Sequence, residues 1–163
     1  MVIIQGGGPI MSAERSSGNI IRYTKIATVI ALVLVVVGDV FGYIITDYIS
    51  RVWADRSDTF AIVTLSIVYY LGTVGAIVVF INLYRLLNNM SKDIVFDVRN
   101  TKLMTIIGIT CIFMGIDCVA GTVAWFGTIY MGVVCFFMML VVFCVKAVFE
   151  KAIEMKEELD FTI

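Results

Sequence analysis

Two aspartates interrupt long apolar runs and are the residues in this chain best placed to do chemistry. Asp39 lies in the run 26–45, within Gly38-Asp39-Val40-Phe41-Gly42, and Asp117 follows Gly115-Ile116 in the run 103–119. A carboxylate at membrane depth can accept hydrogen bonds, hold a cation or carry a proton. Because an acidic residue costs roughly 2.5–3.5 kcal/mol at the centre of a membrane helix, we expect both to face the protein interior or a wet cleft.

The composition indicates that lipid is the solvent for most of the chain. Of 163 residues, 61% are hydrophobic, and the mean hydropathy is +1.01, whereas a soluble domain is about 45–50% apolar. A membrane-spanning helix needs about 20 apolar residues. Four runs qualify, at about 26–45, 60–83, 103–119 and 126–148. We therefore predict an all-α membrane protein, a four-transmembrane-helix bundle, and exclude a four-strand barrel because it could not close.

The parts of the chain outside these runs are short. Residues 1–21 are predicted to be a flexible N-terminal tail, residues 22–149 the membrane bundle, and residues 150–163 a C-terminal helix and tail. Beyond the fourth run, Val148, Ala152, Met155 and Leu159 continue an apolar stripe at helical spacing. The fourth helix is therefore expected to project out of the membrane.

The distribution of positive charge predicts the orientation. Of the 12 Lys and Arg residues, ten lie in the N-terminal tail, the second connection or the C-terminal segment, and only Arg51 and Arg56 lie in the first connection. Since cytoplasmic segments of membrane proteins carry the excess of Lys and Arg, both termini are predicted to be cytoplasmic.

A polar layer is predicted at the depth of the two aspartates. Each follows the start of its run by 13 or 14 residues, which places it about 20 Å from the cytoplasmic edge of the membrane. Four hydroxyl side chains are expected at the same depth: Tyr43, Ser66, Tyr70 and Tyr130. Three interpretations stay open, namely structural hydrogen bonding, a sensing or ligand site open to the outside, and proton or cation transport.

Signatures of other functional classes are missing from the sequence. There is no histidine, and Cys111, Cys118, Cys135 and Cys144 form no CxxC pair, so they are interpreted as buried apolar thiols. HExxH, GxSxG and Walker-type motifs are absent as well. We therefore predict no catalytic residues, no metal site and no cofactor. No basic patch with interleaved aromatic residues suggests direct nucleic-acid binding.

Gly38 and Gly42 form a small-xxx-small motif, which lets two helices approach closely. The motif is typical of helix packing in general. The partner helix can belong to the same chain or, in a homo-oligomer formed through these glycines, to a second copy.

Two short motifs resemble those of a known family. Phe96-Asp97-Val98-Arg99-Asn100 leads into the third run, where Asp97 is predicted to cap the helix. The chain ends in Glu157-Glu158-Leu159-Asp160-Phe161-Thr162-Ile163, where Phe161 stands in place of the usual Leu. With four spans and this length, the chain after about Ile20 resembles the DUF2975 family of small prokaryotic inner-membrane proteins. Members are often encoded beside a Cro-type helix-turn-helix regulator, which implies a cytoplasmic partner of that kind.

These observations together predict a non-enzymatic membrane protein, a sensor or interaction partner of a cytoplasmic transcriptional regulator. The predicted partner contact is the C-terminal motif: Glu158, Leu159, Asp160, Phe161, Thr162 and Ile163. The alternative is a small transporter or channel subunit that uses Asp39 and Asp117 for proton or cation coupling.

Overall fold

The structure is a computed structural model that describes residues 8–55, 58–92, 94 and 97–160, with side chains described from residue 18 to residue 159. The five α-helices are α1 (Gly8–Val40), α2 (Gly42–Tyr48), α3 (Thr59–Met90), α4 (Val98–Ala120) and α5 (Thr128–Asp160). A π-helical turn (Ile49–Trp53) follows α2, and a 3₁₀ turn (Gly121–Val123) follows α4. The described residues form no strand, which confirms the prediction of an all-helical protein.

Four segments are long and apolar enough to cross a membrane, as predicted. They are Gly18–Val40, Thr59–Met90, Val98–Val123 and Thr128–Leu159. α5 has 33 residues, so it is about 50 Å long at 1.5 Å per residue. That length exceeds the roughly 30 Å of a hydrocarbon core, so part of α5 extends beyond it.

The N-terminal segment differs from the prediction of a flexible tail over residues 1–21. α1 begins at Gly8, so residues 8–21 are helical and continuous with the first span. Pro9 lies in the first turn, where its missing N–H leaves no helical hydrogen bond unmade. The next residues, Met11-Ser12-Ala13-Glu14-Arg15, contain no helix-breaking residue. Residues 1–7 lie outside the described part of the chain.

The first span is not the continuous helix predicted for 26–45. α1 ends at Val40, and the Phe41 N–H donates to the Gly38 carbonyl oxygen at 3.0 Å, which is a tighter turn than an α-helix makes. Helical bonding resumes when the Ile45 N–H donates to the Phe41 oxygen at 3.0 Å. The break falls between Gly38 and Gly42, where two glycines weaken the local helix preference.

The long helices stand in a row that follows the chain order. α3 packs against α1 and α4, and α4 packs against α3 and α5. Across the described residues, α1 makes no close backbone contact with α4 or α5. The four spans therefore do not close into a ring, and a gap separates α1 from α5.

The two ends of the molecule have different chemistry. At one end, here called the tryptophan end, the rings of Trp53 and Trp125 meet edge to face at 6.3 Å, beside the buried side chains of Ala61, Leu65 and Ala124. At the opposite end, here called the asparagine end, Asn89 and Asn100 pair at the junction of α3 and α4. Asp97 caps α4 there, as predicted, by accepting from the Arg99 N–H at 2.7 Å.

Candidate functional site

Asp39 lies in the last turn of α1, next to the helix break. Its Oδ1 atom is enclosed and has no hydrogen-bond partner among the described residues. The Tyr69 hydroxyl of α3 packs against Gly38, the residue before Asp39. An enclosed acceptor without a donor costs about 1–3 kcal/mol, so the position is unfavourable for stability alone.

Gly38 and Gly42 allow two tyrosines of α3 to lie against this break. A Cβ atom on Gly42 would be 2.7 Å from Tyr69 Cε1 and 2.9 Å from the Tyr70 hydroxyl, and one on Gly38 would be 3.3 Å from the Tyr69 hydroxyl. The Tyr69 and Tyr70 rings meet edge to face at 5.5 Å. The small-xxx-small motif thus packs within the chain, and a homo-oligomer formed through these glycines would compete with this contact.

A hydroxyl pair links α2 to α3 one turn further along. Thr46 is 1% exposed, and its Oγ1 lies 2.9 Å from the Ser66 Oγ. Each hydroxyl also donates within its own helix, Thr46 to the Tyr43 carbonyl and Ser66 to the Ile62 carbonyl. The two hydroxyls have two protons for three contacts, so at any moment only two of the three contacts can each have a proton of their own.

A cleft of about 540 Å³ runs beside this pair along α2 and α3. Tyr43, Ser66 and Tyr70 line it together with Thr59 and apolar residues of α3. The structure therefore brings three of the six predicted layer residues into one cleft. Asp39 is not in the wall of that cleft. Tyr69 and Tyr70 lie between Asp39 and the cleft.

Asp117 occupies a second groove, between α3 and α4. Its Oδ2 atom is enclosed and, among described residues, lacks a hydrogen-bond partner. The groove, of about 550 Å³, runs between α3 and α4 and is also lined by Thr110, Met114 and Leu71, and Leu71 is shared with the first cleft. Because α1 and α4 lie on different sides of α3 and do not meet, the two aspartates belong to two sites flanking one helix.

Tyr130 is not part of either site. Its side chain is 68% exposed, and its ring meets the ring of Phe126, just before α5, edge to face at 6.5 Å. It lies on α5, whose backbone in the described chain makes no close contact with that of α1 or α3. The sequence predicted the depth of Tyr130 but did not define the direction in which it points.

Two residues absent from the predicted layer are important in the structure. Tyr69 contacts both glycines and lies near Asp39, and Thr46 contributes the buried hydroxyl. The helical spacing from Asp39 to Tyr43 and Thr46 was a signal for the second. No sequence signal distinguished Tyr69 from the adjacent Tyr70, because either could face α1.

The asparagine end holds a second polar network. The Asn89 amide donates to Asn100 Oδ1 at 2.8 Å, and the Asn100 amide donates to the Ile94 carbonyl at 2.8 Å. Asn100 is 0% exposed. The asparagine of the motif quoted above therefore fixes the connection between α3 and α4 from the inside.

Lys25 joins α1 to the same end. Its Nζ donates to Asn88 Oδ1 at 2.9 Å and to Ser91 Oγ at 3.2 Å, and it lies 5.6 Å from the centre of the Tyr84 ring. These contacts attach the start of the first span to the end of α3. Lys25 thus contributes to helix packing as well as to the positive charge used to predict orientation.

The first three residues of the predicted partner contact, Glu158, Leu159 and Asp160, form the end of α5. Leu159 is 68% exposed, Glu158 is also exposed, and the helix ends at Asp160. Phe161, Thr162 and Ile163 lie outside the described residues. The apolar stripe predicted along this helix includes Val148, Met155 and Leu159, which are all exposed.

Comparison with known proteins gives a family and no closer relative. No curated protein and no solved structure matches the chain. The model of the family described as proteins of unknown function, DUF2975, matches residues 50–163. The match begins at residue 50, not near Ile20 as the resemblance suggested, so it includes Asn100, Asp117 and the C-terminal motif but not Asp39 or its glycines. Because this match covers more than two thirds of the chain, the protein belongs to the DUF2975 family.

Proposed function

We propose that the protein is a non-enzymatic, multi-pass sensor in a prokaryotic inner membrane and that its C-terminal helix contacts a cytoplasmic helix-turn-helix regulator. The observation that carries this proposal is the end of α5, which continues to Asp160 and leaves Met155 and Leu159 exposed. Exposed apolar side chains at helical spacing are typical of a helix that docks into a groove of a partner. Glu154 precedes Met155, and Glu157 and Glu158 lie between Met155 and Leu159, so acidic side chains flank the exposed apolar ones.

The orientation required by this proposal rests on charge. With both termini in the cytoplasm, ten of the 12 Lys and Arg residues are cytoplasmic. The tryptophan end then faces the outside, and the asparagine end, with Lys25, faces the cytoplasm. Asp39 and the cleft lined by Tyr43, Ser66 and Tyr70 are nearer the outside, where an envelope signal would arrive.

A capture experiment tests the partner contact. The full chain, in membranes with the helix-turn-helix regulator encoded nearest to it, should retain that regulator, and deletion of residues 157–163 should abolish retention. Met155→Glu, which places a charge on the apolar stripe, should also lose the regulator. The matched variant Glu154→Gln, on the polar side of the same helix, should keep it. Equal retention by the deletion variant and the full chain would contradict the proposal.

A second candidate function is a small transporter or channel subunit. It is favoured by two enclosed carboxylate oxygens, each beside a groove, that have no hydrogen-bond partner in the described part of the chain. Proton or cation flux in proteoliposomes should then fall when Asp39→Asn and Asp117→Asn are combined, and should survive deletion of residues 157–163. If the combined variant changes neither flux nor regulator capture, the carboxylates are structural.

A further inference from the structure

The hairpin of α4 and α5 contains a close helix crossing with a thiol on each side. A Cβ atom on Gly132 would lie 3.3 Å from the Gly115 carbonyl oxygen and 3.4 Å from the Cys118 Cβ. Val119 of α4 and the Phe136 ring of α5 pack against the same two glycines. Cys118 follows Gly115 by three residues, and Cys135 follows Gly132 by three residues.

The antiparallel arrangement directs the two thiols towards each other. In an α-helix the Cα–Cβ bond tilts towards the N-terminus, so side chains on α4 and α5 lean in opposite directions along the hairpin. Cys118 packs against Gly132, which lies one turn before Cys135 on α5, and both cysteines line the same cavity. All four cysteines are free thiols, and Cys144, which is exposed, lies further along α5.

The pair lies in the wall of an apolar cavity of about 370 Å³. Val35 of α1, Tyr69 of α3 and Met131 of α5 line the same cavity. It therefore occupies the gap between α1 and α5, whose backbones do not meet within the described chain. The apolar lining favours a reagent that dissolves in lipid.

We propose that Cys118 and Cys135 form a membrane-embedded dithiol that a lipid-soluble quinone oxidises to an intramolecular disulfide. Two S–H bonds break and one S–S bond forms. The quinone accepts the two electrons and two protons and leaves as the quinol. The product joins α4 to α5 beside the crossing of Gly115 and Gly132 and so restricts the movement of α5, the helix that continues to Asp160. This inference is independent of the regulator contact, because its readout is the chemical state of two sulfurs.

The test uses the full chain, reduced and then reconstituted in phosphatidylethanolamine and phosphatidylglycerol vesicles. The probe is decylubiquinone, a lipid-soluble quinone whose ring is fully substituted and so disfavours thiol addition. After incubation the protein is denatured, alkylated with N-ethylmaleimide and digested. Mass spectrometry should find two alkylated cysteines in place of four, together with a linked pair of peptides that contain Cys118 and Cys135. Quinol should form in equal molar amount.

Control variants assign the sulfurs. Cys118→Ser and Cys135→Ser should each keep all remaining thiols alkylatable, whereas Cys144→Ser should still form the linked peptides. Circular dichroism of each reconstituted variant checks that its helices are intact. The peptide map of the wild-type protein tests the disulfide without any substitution. Four alkylatable cysteines in the quinone-treated wild type would overturn the proposal. A disulfide that joins Cys111 to Cys135 in place of Cys118 would overturn it as well.

Discussion

At the residue scale, the sequence predicted which side chains are unusual but not which ones meet. Asp39 and Asp117 are partly enclosed, as their cost in lipid required. Their separation into two sites depends on how α1 and α4 pack on α3, and Tyr69 was missed because its direction depends on the same packing. Apolar periodicity defines a face of a helix only when one face is more polar than the other, and α3 carries apolar residues on all sides.

Replacing Asp117 by Leu should stabilise the protein. The change removes an enclosed oxygen without a partner, so the free energy of unfolding should rise by about 1–3 kcal/mol. Unfolding in mixed detergent micelles, followed by circular dichroism, measures it. The control is Thr46→Val, which breaks the contact with Ser66 and should lower the free energy of unfolding by about 0.5–1.5 kcal/mol. Loss of stability in Asp117→Leu would show that this oxygen has a stabilising partner.

Replacing Gly42 by Ala should destabilise the packing of α2 on α3. The added Cβ would lie 2.7 Å from Tyr69 Cε1, and relief of such crowding costs about 1–3 kcal/mol. Gly72→Ala is the matched control, because no described atom lies within 4 Å of its Cβ position, and it should stabilise α3 slightly. In the same detergent, the melting temperature of Gly42→Ala should be lower than that of Gly72→Ala. Equal melting temperatures would be inconsistent with this packing.

At the element scale, the long helices were predictable and their interruptions were not. Length and apolar composition place four spans, and Asp97 follows the capping rule for α4. The break at Phe41 arises where Gly42 lies beneath Tyr69 and Tyr70, which is a tertiary contact. The helical start at Gly8 was missed because Gly6-Gly7-Gly8-Pro9 suggested a flexible segment, although Pro9 is compatible with a first turn.

Replacing Asn100 by Ala should loosen the connection between α3 and α4. Its amide links Asn89 to the Ile94 carbonyl at full burial, and each group left without a partner costs roughly 1–3 kcal/mol. Trypsin cleavage at Lys92 and Arg99 should therefore become faster. Thr110→Val is the control, because the Thr110 hydroxyl donates only to the Ile106 carbonyl of its own helix. Unchanged cleavage in Asn100→Ala would contradict this role.

At the scale of the whole molecule, orientation is predicted from charge alone and can be measured directly. Alkaline phosphatase fused after Ala54 should be active, because that position is expected outside. Green fluorescent protein fused at the C-terminus or after Ser91 should fluoresce, because both positions are expected in the cytoplasm. As controls, green fluorescent protein fused after Ala54 should not fluoresce, and alkaline phosphatase fused after Ser91 or at the C-terminus should be inactive. Phosphatase activity from a C-terminal fusion would reverse the orientation and remove the basis for a cytoplasmic partner.

The row of helices has a consequence for how the protein is made. Each span packs against the span that precedes it in the chain, and across the described residues α1 and α5 do not meet. During synthesis, each span after the first therefore emerges from the ribosome when the span that it packs against is already in the membrane. Contacts between sequence neighbours carry a small loop-closure cost. Biogenesis can proceed one helix at a time, without waiting for the last span to complete a closed structure.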